Sequence, residues 1–180
     1  MSSPLAYFLT WSCRGSWLHG DDRGSVDRDH NRPGAPLVMP DPGRRNEFRQ
    51  TLTNDPVTLS PRQRSVVAQA VHDVCDRRGW KPLAVNARST HVHVVLQAPH
   101  TTPERAMQQL KAWATRALRE DDDTLPPGLW TRHGSTRYLW TVEHVAEAVH
   151  YVLHEQDSPA NAARKRTLKS RFTDKSEPRA

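Results

Sequence analysis

The sequence has few cysteines and no long apolar run, and each shortage excludes a class of protein. Only two cysteines, Cys13 and Cys75, occur in 180 residues, so neither a disulfide framework nor a cysteine-ligated zinc site is available. No apolar run approaches the roughly 20 residues that cross a membrane, and the N-terminus lacks the shape of a signal peptide. We therefore expect a cytoplasmic protein with no membrane partner.

Positive charge is abundant. The formal net charge is +6, which favours a polyanionic partner. Residues 157–180 contain seven Lys or Arg against three Asp or Glu and show no apolar periodicity, so we expect a basic, disordered tail. The remainder, residues 1–156, has the length of a single domain. Residues 14–56 lack periodicity as well, and we expect a long loop there.

The periodic segments predict an α+β fold. Their order is β-α-β-β-α-β followed by a further helix, which is typical of the ferredoxin-like split βαβ arrangement. That arrangement has an antiparallel sheet with helices on one face, and here a C-terminal helix is added to it. The predicted strands cover residues 6–13, 82–88, 91–98 and 129–140, and the predicted helices begin at Ser60, Thr102 and Thr141.

Two histidines interrupt the third strand. Side chains alternate across a strand, so His91 and His93 share one face, whereas Val92 and Val94 share the other with the core. Two neighbouring imidazoles gain most when a cation lies between them. The plainer alternative is a pair of partly exposed histidines on the open face of the sheet. In either case we expect truncation of one histidine to leave the core intact.

Tyr151 lies on the last predicted helix, which we expect to end near residue 155. At about 100° per residue, Tyr151 lies roughly 145° from the centre of the apolar stripe, with Glu155 one turn further on the same face. A surface tyrosine is the plainer interpretation of this position alone. Beside a histidine pair, however, Tyr151 is a candidate nucleophile. The expected stripe consists of Val142, Val145, Val149, Val152 and Leu153.

Together these residues resemble the single-tyrosine HUH transposases, which include insertion-sequence transposases and the REP-associated tyrosine transposases. HUH denotes His-hydrophobic-His, here residues 91–93, and the family's tyrosine follows the last strand on a helix, as Tyr151 does. The segments YFLTWSCRGSWLHG and RHGSTRYLW are also similar to a branch of this family. The resemblance covers about residues 5–156 and implies the ferredoxin-like fold.

The resemblance also implies an activity and a set of site residues. The protein would be a metal-dependent endonuclease and strand transferase that acts on single-stranded DNA through a 5′-phosphotyrosine at Tyr151. His91 and His93 would bind the metal. The family's third ligand is often a glutamine one turn after the tyrosine; here that position is Glu155, followed by Gln156, and a carboxylate would favour Mg²⁺ or Mn²⁺.

Five further residues are candidate DNA contacts. Arginines near predicted strand ends can bind phosphates, and tryptophans outside the helical core can stack on unpaired bases. Tyr138 is a rival nucleophile, although its apolar neighbours in the strand indicate a packed ring. The candidate DNA contacts are Arg14, Trp17, Trp130, Arg132 and Arg137.

Two other functions stay open on the sequence. One is a domesticated protein that binds DNA hairpins without cutting them. The other is a replication initiator or relaxase of the wider HUH class, although such proteins usually have a different order of motifs. The expected partner is single-stranded DNA with hairpin or palindromic ends. Family members occur both as monomers and as homodimers, so the assembly state is left open.

Removal of residues 157–180 should weaken DNA binding broadly and flatten its dependence on salt. Each lost phosphate contact reduces the slope of log K against log salt by about 0.9 on duplex DNA and about 0.7 on a single strand. Binding isotherms at several salt concentrations measure this slope. An unchanged slope after truncation would show that the tail does not touch DNA.

Overall fold

The computed structural model describes residues 3–16, 39–51 and 55–154, with the side chain of Phe48 left out. Four strands and four helices lie in these segments. In chain order they are β1 Ala6–Ser12, α1 Pro42–Gln50, α2 Pro61–Arg78, β2 Lys81–Ala87, β3 His91–Gln97, α3 Pro103–Asp121, β4 Ser135–Leu139 and α4 Val142–His154.

The strands form one antiparallel sheet in the order β2-β3-β1-β4. The strand β3 lies between β1 and β2, and the helix α2 lies in the connection from β1 to β2, so the predicted split βαβ arrangement is confirmed. In the ladder, His93 pairs with Thr10 of β1 on one side and with Asn86 of β2 on the other. The side chains of these three residues therefore share one face of the sheet.

The helix boundaries follow local signals that the sequence predicts. Ser60 and Gln63 form a complete capping box at the start of α2, and Gly79 ends that helix in the left-handed conformation at a φ of 65°. The Thr102 hydroxyl accepts a hydrogen bond from the Arg105 backbone N–H at the start of α3. These caps satisfy backbone groups that a helix end would otherwise leave unpaired.

One face of the sheet packs against α2 and α3 and forms the larger core. Burial of apolar side chains between the sheet and these two helices provides the main driving force for this arrangement. Its largest fully buried side chains include Leu9, Trp11, Val67, Val71, Val92, Val94, Leu96, Leu110 and Leu118. The prediction that Val92, Val94 and Leu96 point toward the helices is confirmed.

The opposite face, which carries the histidines, is covered, so the plainer alternative of histidines on an open face does not hold. The helix α4 packs across it, against β2 and β3 with further contact to β4. A second apolar cluster forms beneath this helix from Phe8, Val95, Leu139, Ala148 and Val152. The helix covers this face because several of its side chains are apolar and are buried by the contact.

The predicted loop at residues 14–56 contains a helix, α1, that the sequence did not indicate. Its signals are local, because Asp41 accepts from the Arg44 N–H and Pro42 occupies the first turn. Without an apolar stripe, periodicity could not reveal it. Residues 17–38 of this segment, and the predicted tail from residue 157, lie outside the described residues. Across the described segments, no helix is both long and apolar enough to cross a membrane.

Gly134→Ala should destabilise the fold by about 1–3 kcal/mol, the usual cost of overpacking. A Cβ atom there would lie 2.5 Å from the Thr10 carbonyl oxygen and 2.5 Å from the Met107 sulfur, and a backbone oxygen of a central strand cannot easily move. Urea denaturation measures the loss. The control is Gly43→Ala, where the nearest atom is an oxygen of the Asp41 side chain at 3.3 Å. Equal losses in both variants would contradict this account.

Candidate active site

His91 and His93 lie side by side on β3, on the face covered by α4. Their ring centroids are 4.7 Å apart and their planes are inclined at 79°. His91 is half-buried, whereas His93 is only 6% exposed and is the one polar side chain among the buried residues that the structure describes. Two imidazoles this close, one of them shielded from solvent, would repel if both were protonated, whereas two neutral rings can each donate a lone pair to one bound cation.

Threonine hydroxyls fix the orientation of both rings. Thr10 Oγ1 lies 2.8 Å from Nδ1 of His93, and Thr90 Oγ1 lies 3.1 Å from Nδ1 of His91. When Nδ1 carries the ring proton and donates to the hydroxyl, Nε2 is the nitrogen that can ligate a metal. Such contacts to the second ring nitrogen are typical of metal-binding histidines. The two residues are therefore arranged as a matched pair of candidate ligands.

Tyr151 lies on α4 directly over His93. The ring centroids of these two residues are 5.9 Å apart, and the Tyr151 ring also meets the Phe8 ring edge-on at 6.0 Å. The structure thus brings Tyr151 and the histidine pair of one chain together, a placement that the sequence left open. It does so with Tyr151 partly buried against the second apolar cluster.

The predicted apolar stripe of α4 was right for Val145, Val149 and Val152, which pack on the second apolar cluster, but wrong for its first and last members. The angle that it gave for Tyr151 was therefore wrong as well. Val142 is 70% exposed and Leu153 50% exposed, whereas Ala148 and Val152 are buried against the sheet. The small Ala148 side chain lets the helix approach the sheet closely, so the packed face is centred there. Tyr151 borders this face instead of lying opposite to it.

Arg137 lies on the same face of the sheet, on β4. It pairs with Phe8, which in turn pairs with Val95. Burial lowers the pKa of the Arg137 guanidinium, and the nearby Tyr151 hydroxyl acts in the opposite direction. A positive charge therefore lies within electrostatic range of the tyrosine, at a position suited to phosphate oxygens.

The other candidate DNA contacts are spread more widely. Arg132 is exposed, and Arg14 donates to the Pro127 carbonyl at 3.0 Å. Trp130 packs edge-on against Trp11, and its indole N–H donates to Thr115 Oγ1 at 2.9 Å, which gives this ring a role in the fold. Trp17 lies outside the described residues.

Tyr138 is packed, as the sequence indicated, and lies on the opposite face of the sheet from the histidines. Its ring stacks on Trp140 with a centroid separation of 5.8 Å and meets Tyr7 edge-on at 5.4 Å. Burial raises its pKa, with a smaller contribution from Glu104. This position separates Tyr138 from the histidine pair.

A third metal ligand is not found in the part of the chain that the structure describes. There, no three His, Cys, Asp or Glu side chains are arranged to hold a metal ion. The predicted ligand Glu155 and its neighbour Gln156 lie outside that part. The two imidazoles fit a metal site whose remaining ligands come from elsewhere.

Sequence reasoning missed Thr10 and Asn86. Thr10 contacts His93, and the Asn86 amide donates to the Val152 carbonyl of α4 at 2.8 Å. Both are polar residues within otherwise apolar strands, and this pattern was the signal in the sequence that could have indicated a role at the site. Only the strand register, however, reveals that both lie beside His93.

Comparison with known proteins decides the family. The sequence profile of the IS200-like transposases matches residues 49–155, more than half of the chain. The chain belongs to this family. The predicted resemblance is therefore confirmed, and the protein is a transposase, a class of enzyme that processes DNA. Members of the family generally depend on a metal ion.

Two solved structures match the transposase at low identity. One is the structure of a REP-associated tyrosine transposase bound to a REP hairpin, with a TM-score of 0.49 and 12% identity. The match covers 84% of the present chain and 66% of the REP-associated protein, so the present chain spans about two thirds of that protein's length. The other, of a Deinococcus radiodurans protein assigned as a transposase, has a TM-score of 0.49 and 14% identity, with 87% and 93% covered. No curated protein sequence matches.

Thr10→Val should weaken binding of Mn²⁺ by about 10- to 100-fold, the usual cost of losing a contact to a ligating histidine. The substitution keeps the size of the side chain but removes the hydroxyl that orients His93. Calorimetric titration with Mn²⁺ measures the affinity. Thr136→Val is the matched control, because that hydroxyl donates to Glu104 at 2.8 Å, away from the histidines. The same affinity in the Thr10 variant and the unaltered protein would refute a role in the metal site.

Proposed function

We propose that this transposase nicks and rejoins single-stranded DNA through a covalent bond between Tyr151 and a 5′ phosphate. The observation that supports this proposal is the 5.9 Å separation of the Tyr151 and His93 rings within one chain. A phosphodiester bound at the histidine pair would lie within reach of the tyrosine. The family assignment supports a reaction in which DNA strands are cut and joined.

Cleavage proceeds by exchange of one phosphoester bond for another. The Tyr151 oxygen forms a bond to phosphorus while the bond from phosphorus to the 3′ oxygen breaks. The phenol proton passes to solvent, and the departing 3′ oxygen takes up a proton. In the joining step, the 3′ hydroxyl of another strand end attacks the phosphotyrosine and releases the tyrosine. Because each bond is exchanged, no external energy source is needed.

The residues of the histidine pair have a defined part in this scheme. His91 and His93 would hold Mg²⁺ or Mn²⁺ together with Glu155, or with Gln156 in its place. A bound divalent cation stabilises the charge that develops on the phosphate oxygens. Thr10 and Thr90 keep the two rings in the orientation that ligation needs. This division of roles leaves Tyr151 as the sole covalent participant.

Arg137 is the DNA contact that the surroundings of the site support most directly. Its half-buried guanidinium shares the face of the histidine pair and lies near Tyr151. An arginine there can bind two phosphate oxygens at once and position the backbone for attack. Arg14 and Arg132 would bind the backbone farther away. We propose DNA with hairpin or palindromic ends as the substrate, as the resemblance to the HUH transposases implies.

Tyr151→Phe should abolish strand cleavage and the covalent protein–DNA adduct while leaving DNA binding intact. Phenylalanine keeps the ring that packs on Phe8 and His93 and removes only the attacking oxygen. A labelled oligonucleotide incubated with Mg²⁺ or Mn²⁺ and resolved on a denaturing gel detects both products. Cleavage that continues unchanged in this variant would refute the assignment.

The histidine variants complete this test, and the structure changes what we expect of them. His91→Ala should abolish cleavage with little loss of stability, because His91 is half-buried. His93→Ala should also lower the free energy of unfolding by about 2–5 kcal/mol, the usual cost of a core truncation, because His93 is buried beneath α4.

The alternative function has its own outcome. If the unaltered protein binds DNA but forms no covalent adduct with any divalent cation, that result would favour the non-catalytic hairpin binder.

A further inference from the structure

A side-chain amide on the sheet forms a hydrogen bond with the tyrosine-bearing helix. The Nδ2 atom of Asn86 on β2 donates to the carbonyl oxygen of Val152 on α4 at 2.8 Å. Val152 directly follows Tyr151 in the chain. The bond therefore acts on the turn of the helix that holds the candidate nucleophile.

The same amide is placed next to the histidine pair by the strand register. Asn86 and His93 face each other across the β2–β3 ladder, so their side chains leave the sheet on the same side. Asn86 thus connects His93, its partner across the strand pair, to the backbone carbonyl of Val152 beside Tyr151. This is a short and well-defined path between a candidate ligand and the nucleophile.

Apolar packing alone holds this end of the helix weakly. Val152 is fully buried, but the next two residues, Leu153 and His154, are exposed. The Asn86 amide adds a directional bond from the sheet to the helix turn that bears Tyr151, which apolar contacts do not provide. Asparagine is unfavourable within strands, and a half-buried amide at position 86 is accounted for by this bond.

We propose that Asn86 is a positioning residue that holds Tyr151 against His93 of the same chain. The proposal rests on the proposed function as far as the reaction is concerned, and it adds that the nucleophile acts in cis. Without the Asn86 donor, the last turn of α4 opens locally while the sheet and the larger core stay folded. Tyr151 then samples positions from which attack on a bound phosphate is slow.

The first experiment measures the position of the tyrosine without DNA or metal. The chain has three tyrosines, Tyr7, Tyr138 and Tyr151, so labelling with 3-fluorotyrosine gives three fluorine resonances, and Tyr151→Phe identifies the third. In the unaltered protein this resonance should differ from that of the free amino acid, because the ring contacts Phe8 and His93. In Asn86→Ala it should move toward the free value.

The other two tyrosines are internal controls, since they contact each other on the opposite face of the sheet. Asn86→Leu accompanies the alanine variant because it removes the donor without leaving a cavity. The matched control is Gln97→Leu on β3. This variant also removes a side-chain amide, one that donates to the Leu5 carbonyl at 3.2 Å. A Tyr151 resonance that keeps its position in both Asn86 variants overturns the proposal, whether or not the protein cuts DNA.

The second experiment measures the reaction. Both Asn86 variants should form the covalent adduct about 10- to 100-fold more slowly in a single turnover, the loss expected when a reacting group is misplaced. The rates are compared at Mn²⁺ concentrations that saturate each variant, because the proposed ligand Glu155 follows the same turn; a slower rate at saturation separates misplacement of Tyr151 from loss of the metal. An adduct rate equal to that of the unaltered protein overturns the proposal.

The assignment to a single chain has its own test. A mixture of Tyr151→Phe chains and His91→Ala chains contains intact tyrosines and intact histidines only on different molecules. If Tyr151 acts in cis, the mixture stays inactive, as each variant is alone. Adduct formation in the mixture would show that the tyrosine serves a partner chain and would overturn the cis assignment.

Discussion

The site depends on the packing of α4 against the histidine-bearing face of the sheet. The helix joins the apolar cluster of Phe8, Val95, Ala148 and Val152 beneath it, and this burial provides most of the stabilisation that holds it there. The same contact places Tyr151 over His93 and shields His93 from solvent. The chemistry of the site is therefore a consequence of how one helix packs.

Polar groups at the edge of this cluster are arranged in pairs. His93 meets the Thr10 hydroxyl, and Asn86 meets the Val152 carbonyl. A buried polar group without a partner costs free energy, so these hydrogen bonds let polar residues occupy a mostly apolar face. Hydrogen bonds are directional, so they also fix the orientation of these side chains, which apolar contacts do not. A nucleophile and candidate metal ligands need such defined positions.

The strand β1 has a larger part in the site than the family match suggests. The match covers residues 49–155 and so excludes β1, yet this strand lies inside the sheet between β3 and β4. It contributes Thr10 beside His93 and Phe8 beneath Tyr151. A chain lacking β1 would lose the support of the His93 and Tyr151 rings, so the candidate site extends to the N-terminal segment.

The sequence by itself determined the order of all elements except α1, most helix ends and the shared face of His91 and His93. These features depend on local signals: alternation within a strand, apolar periodicity, and caps such as Ser60 and Gly79. Only the tertiary structure decided that α4 covers the histidine face, that Ala148 instead of Val142 rests on the sheet, and that Asn86 reaches Val152. The rotation of a helix on a sheet and the register between strands depend on contacts between residues far apart in the chain. Local patterns do not contain that information.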